Sequence, residues 1–152
     1  MDVFFDDLVM SHTIRIRRRL DELPDTIPGS DLLLSKLQIH DITLNDLFDL
    51  MAIMVGISAE EEKADHMRLE EVLRDDWGFW HTVNENLVRL REEAAKQQTI
   101  LGQEGDLLQA RTDRFAGALA RTSKTMRWRL RARVGTRTRW YEEVGEVDRE
   151  RA

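Results

Sequence analysis

From Trp77 onward a single apolar seam runs down the chain, through Trp80, Val83, Leu87, Leu90, Ala94, Leu101, Leu108, Phe115, Leu119, Met126 and Leu130. Its steps of three, four and seven residues are those at which side chains return to one face of an α-helix. This half of the sequence therefore reads as a coiled coil or a long bundle helix. Two features interrupt it. Gln97, Glu104 and Arg111 stand where the alternate seam positions should be apolar, and Gly102 and Gly105 are both poor helix residues, each weakening a helix by about 1 kcal/mol relative to Ala. A break near residues 102–105 is expected, giving either two antiparallel helices or one bent helix over 77–134.

The first half is also helical by pattern. Val3, Phe4, Leu8, Val9, Ile14, Ile16, Leu20 and Leu23 recur at roughly helical spacing. Asp2, Asp6 and Asp7 at the start and Arg15 to Arg19 near the end complement a helix dipole. A helix over residues 2–23 is expected, stopped by Pro24 and Pro28, because proline supplies no amide proton and restricts its predecessor. A short helix from Asp31 to Ile39 follows. Thr43 with Asp46, and Ser58 with Glu61, have the spacing at which a hydroxyl and an acid satisfy each other's free amides at a helix start.

The first cap introduces a helix, Leu44 to Val55, that is apolar on most sides and is expected to be the central, buried one, ended by Gly56 in a left-handed conformation. The second introduces a helix from Ala59 to about Arg74 that buries at most Met67, Val72 and Leu73 and turns its acids to water. Residues 1–76 thus form a helical head, 77–134 the long helix or hairpin, and 135–152 a charged, partly flexible segment. The fold class is all-α, a small multi-helix bundle.

Cysteine is absent, which removes disulfides, thiolate metal sites and cysteine nucleophiles. Neither a spanning apolar run nor a secretory leader is recognisable, so the expected location is intracellular, cytoplasmic or nuclear. Charge is distributed unevenly. Arg121, Lys124, Arg127, Arg129, Arg131, Arg133, Arg137 and Arg139 carry +8 with no acid between them, so the rest of a chain whose net charge is −6 holds −14. In the stretch Arg127 to Arg139 the apolar residues Trp128, Leu130, Ala132 and Val134 alternate with arginines, the period of a strand. Yet Arg, Leu and Ala are good helix formers. Residues 126–141 are expected to be helical, with a short Arg-rich β-hairpin as the alternative.

Arginines interleaved with Trp128 and Trp140 suit an acidic protein surface, or nucleic acid, whose phosphates bind guanidinium and whose bases stack on rings. A membrane is disfavoured as partner. The same run also has a bland use, neutralising the chain's own acidic stretch Glu60 to Asp76.

Chemistry is thinly represented. Glu62 with His66, and His81 with Glu85, lie one helical turn apart, and Asp46, Asp49 and Asp65 add carboxylates. Such pairs are the raw material of a metal-dependent helical-bundle enzyme. Acids at these spacings are more often a solvated face, and His12 and His40 have no partner in register. No cofactor is implied, since there is no phosphate-cradling glycine loop and no serine in a nucleophile elbow. The functional expectation is a non-enzymatic interaction or assembly module, joined to a protein partner or to itself through the seam residues Trp80, Val83, Leu87, Leu90, Leu101, Leu108, Phe115 and Leu119 and through the basic end. Nucleic-acid binding by residues 121–140 is the alternative.

Overall fold

A computed structural model describes residues 7–17 and 27–143. Among them are six α-helices and one two-stranded antiparallel sheet, β1 (Asp7–Val9) and β2 (Thr13–Arg15), paired Leu8 to Ile14. This hairpin replaces part of the helix expected over residues 2–23; the rest of that expectation falls outside the described residues. Ile14 and Ile16 are buried while Thr13, Arg15 and Arg17 face water, the period of two that β-branched residues favour. A lone hairpin is marginal. This one is held by Ile14 in the core and by Arg68, whose Nη2 donates to the Arg15 carbonyl at 2.8 Å.

Helix α1 (Gly29–Leu37) starts on Pro28, whose carbonyl accepts from both Asp31 and Leu32, and buries Leu33, Leu34 and Leu37. Helix α2 (Leu44–Gly56) and helix α3 (Ala59–Leu73) each begin with the expected reciprocal cap. Their faces differ from expectation. In α2, Leu47, Leu50, Met51 and Met54 are buried but Leu44, Phe48 and Ala52 are open. Gly56 is not left-handed; the chain leaves α2 through extended Ile57. In α3, Met67 is exposed, and Leu69 joins Leu73 in the core together with the acids Glu62 and Asp65.

Helix α4 (Trp77–Leu101) starts on Asp76, whose carboxylate accepts from the Phe79 amide at 2.9 Å. It stops at Gly102, where φ is +55°, and helix α5 (Gln103–Arg121) turns back. The break falls in the expected place, and the two arms are antiparallel: Trp80 bonds to Leu119, Arg91 pairs with Asp113, and Gln98 with Asp106. Helix α6 (Met126–Val134) is capped by Thr125 and ends at Gly135, φ +60°, which opens a short 3-10 turn to Arg137. The chain thus breaks a second time at residues 122–125, inside the stretch 77–134, and the Arg-rich segment is helical only as far as Arg137, residues 138–141 being non-helical; the hairpin alternative is not formed. Here the N-cap, the left-handed exit and the helix propensities outweigh the alternation. One cluster of buried side chains runs from Ile14 through α1–α3 to Leu119 of α5. No described helix is long and apolar enough to cross a membrane.

Candidate interaction surface

The seam residues Val83, Leu87, Leu90, Leu108, Phe115 and Leu119 are buried, and Trp80 and Leu101 are packed against them at its ends. They form the inner face of the α4–α5 hairpin, covered by α2 and α3. Arg111, a polar interruption of the seam, lies inside too. Its guanidinium donates to the carbonyls of Met54, Val55 and Ile57, satisfying the free carbonyl end of α2. Its Nε sits 3.4 Å from Glu62, which also receives Arg114 at 2.5 and 3.0 Å. The Arg114 hydrogen bond holds the Glu62 carboxyl below its ordinary range despite its partial burial.

Glu62 is thus shared between the guanidinium groups of Arg111 and Arg114. His66 lies 4.0 Å from Glu62, edge-on to Phe115, and burial lowers its pKa. Lys36 reaches Asp46 at 3.1 Å and Asp49 at 2.7 Å. His81 pairs with Glu85 at 3.6 Å while stacking on Trp77. Among the described residues no three of His, Asp or Glu converge as a metal would require. His12 and His40 do have partners, brought by the tertiary fold. His12 stacks on Phe79 and its Nε2 is 2.9 Å from the Thr82 hydroxyl; His40 stacks on Tyr141 at 3.5 Å.

The basic segment divides sharply between anchors and free cations. Trp128 meets Trp80 edge-on at 5.2 Å, and Lys124 lies over both rings while donating to the Leu119 carbonyl at 2.7 Å. Burial pushes the Lys124 pKa down. Arg131 covers Trp77 at 4.9 Å and donates to the carbonyls of Gly135, Thr138 and Arg139. Trp140 donates to Thr82 at 3.2 Å, and its carbonyl lies so close to Gly78 that a Cβ there would come within 2.6 Å. Arg139 pairs with Glu143 at 2.7 Å.

Arg121, Arg127, Arg129, Arg133 and Arg137 face water. On α6 they keep unusual company. None of the nine residues of that helix is buried, and Met126 (67% exposed), Leu130 (56%) and Val134 (40%) stand one turn apart in a row. At 100° per residue Arg127 borders this row on one side and Arg129 and Arg133 on the other. Leu130 and Val134 also border a groove of about 430 Å³ whose far wall is Asp75, Asp76 and Trp77. Comparison with protein-family models, curated proteins and solved structures gives no match.

Proposed function

We propose that the chain is a non-enzymatic binding module whose working surface is the outward face of α6, and that it takes an apolar protein surface bordered by acids. The observation that carries this reading is the row Met126, Leu130 and Val134 left open between Arg127, Arg129 and Arg133 on a helix that is firmly anchored from behind. Apolar area supplies attraction without direction, and the flanking charges select an acidic partner and orient it. The seam, which the sequence alone offers as an association surface, is filled by the chain's own helices. Its contribution to binding is indirect: it fixes Trp77 and Trp80, on which α6 is mounted. Such a module suits the cytoplasm or nucleus, where a cysteine-free chain meets no redox demand.

Nucleic acid is the weaker reading. Trp128 and Trp140, the rings that would stack on bases, are turned against Trp80 and Thr82, and a phosphate backbone has no use for the apolar row. A fluorescence-anisotropy titration separates the two, using a labelled helical probe peptide of alternating Glu and Leu turns against single-stranded DNA of equal charge. The peptide is expected to bind more tightly than the DNA. Leu130→Asp should weaken peptide binding roughly tenfold or more, as loss of a buried leucine does, and leave the weak DNA signal unchanged. Preferential DNA binding, or a peptide affinity indifferent to Leu130, contradicts the reading.

A further inference from the structure

At the other end of α4 lies a second open apolar surface. Phe48, Met51 and Val55 of α2 face Ile100 and Leu101 at the end of α4, across a groove of about 390 Å³. Ile100, 83% exposed, is among the most exposed large apolar side chains described. Glu104 lines this groove and no cation does. Lys96, one turn before Ile100, is held by Glu93 at 2.9 Å. The surface is thus an apolar trough with an acid on its rim, the chemistry that the outward face of α6 requires.

From these two surfaces we infer that the partner of α6 is the elbow groove of a second copy of this chain. Charge argues for the pairing at both scales. Locally, Met126, Leu130 and Val134 would enter a trough bordered by Glu104, with Arg129 and Arg133 brought toward the acidic start of α5, where Glu104 and Asp106 occupy the first turn. Globally, the segment Arg121 to Arg139 carries +8 and the rest of the chain −14, so pairing this end with an acidic part of a second copy offsets the repulsion between two chains of net charge −6. Geometry fixes the order. Helix α6 is mounted on Trp77 and Trp80, while the groove is at Ile100 and Leu101, about 30 Å further along a straight helix at 1.5 Å per residue. Knob and trough cannot meet within one molecule. Between molecules they meet head to tail, a contact that leaves one knob and one trough free at the ends and so propagates unless the rotation closes a ring.

The inference rests on the reading of α6 as the working surface, and its test separates the two. A nine-residue helix in a trough of this size buries far less than a standard interface, so assembly should be weak and concentration-dependent. Light scattering coupled to size exclusion is expected to show the mass of the full chain rising between roughly 10 µM and 1 mM. Ile100→Glu and Leu130→Glu change exposed positions and should each give a monomer across that range. Mixed in equal amounts they should form a one-to-one dimer and nothing larger, because each keeps one intact surface. A wild type that stays monomeric at 1 mM overturns the self-pairing, as do two monomeric variants that fail to complement. If the monomer still binds the Glu/Leu probe peptide, only this inference falls and the partner is another protein. If it does not, the reading of α6 falls as well.

Discussion

Arg111 shows what a single residue does to a helix seam. In sequence it is a flaw, a charge at a position where an apolar side chain belongs. In the fold it is a fastener, buried and donating to three carbonyls at the end of α2, more than fifty residues away in the chain. The anomaly was legible; its purpose was not, because nothing local to Arg111 names Met54 or Ile57. Replacing Arg111 with Leu strands those carbonyls and strips Glu62 of a neighbour, so a loss of about 3 kcal/mol or more is expected from chemical denaturation. Arg114→Ala, at a half-exposed partner of the same Glu62, should cost under about 1 kcal/mol. Equal losses would show that Arg111 acts as a surface ion pair and not as a cap. His12 makes a second prediction at this scale. Burial brings its pKa from 6.5 down to about 4, so the folded state holds fewer protons than the unfolded state between those values. Stability should therefore be complete above pH 6.5 and fall as the pH drops toward 4, by about 3 kcal/mol at one pKa unit per 1.36 kcal/mol. In His12→Gln that part of the pH dependence should disappear. A variant with the wild-type slope between pH 6.5 and 4 would place the titration elsewhere.

The elements were legible in proportion to the strength of their local signals. The caps at Thr43 and Ser58, the break at Gly102 and the long α4–α5 seam all lie within a few residues of the chemistry that creates them. The N-terminal hairpin is hard to read because the helical spacing extends over all of residues 2–23, whereas the strand period rests on Ile14 and Ile16 alone. What decides is tertiary: β2 packs against α1 and is tied to Arg68. The Arg-rich segment erred in the opposite direction in its pattern, alternating like a strand yet folding as α6 once Thr125 and Gly135 close its ends. Gly102 and Gly78 carry the predictions that belong to elements. A Cβ at Gly102 meets open space, but φ +55° with ψ −124° is a backbone that only glycine adopts readily, so Gly102→Ala should lose about 1–3 kcal/mol through strain alone. At Gly78 a Cβ strikes the Trp140 carbonyl. Gly78→Val should release the 138–143 strap, seen as faster hydrogen exchange there with the α4–α5 amides unchanged. Unaltered protection of the strap would mean that the Trp140 contact does not hold it.

In the whole molecule some apolar surfaces are spent inside and others are left over. The seam that dominates the sequence is spent, joining the α4–α5 hairpin to α2 and α3 in one core. The segment whose chemistry looked most available, Trp128 and Trp140 among arginines, is half spent, because its rings and Lys124 and Arg131 serve as mounts. What remains outward is the groove at Phe48 and Ile100 and a narrow row on α6; sequence alone could not isolate the row because the same nine residues contain both the mount and the surface. Charge is the most specific thing about that surface and the easiest to reverse. The most direct measurement is isothermal titration of the wild type and the double variant Arg129→Glu, Arg133→Glu against two probe peptides that share a leucine face and differ only in carrying Glu or Lys beside it. The wild type is predicted to bind the Glu peptide and not the Lys peptide, and the double variant to show the opposite preference. A double variant that keeps the wild-type preference would contradict the assignment of α6 as the binding surface.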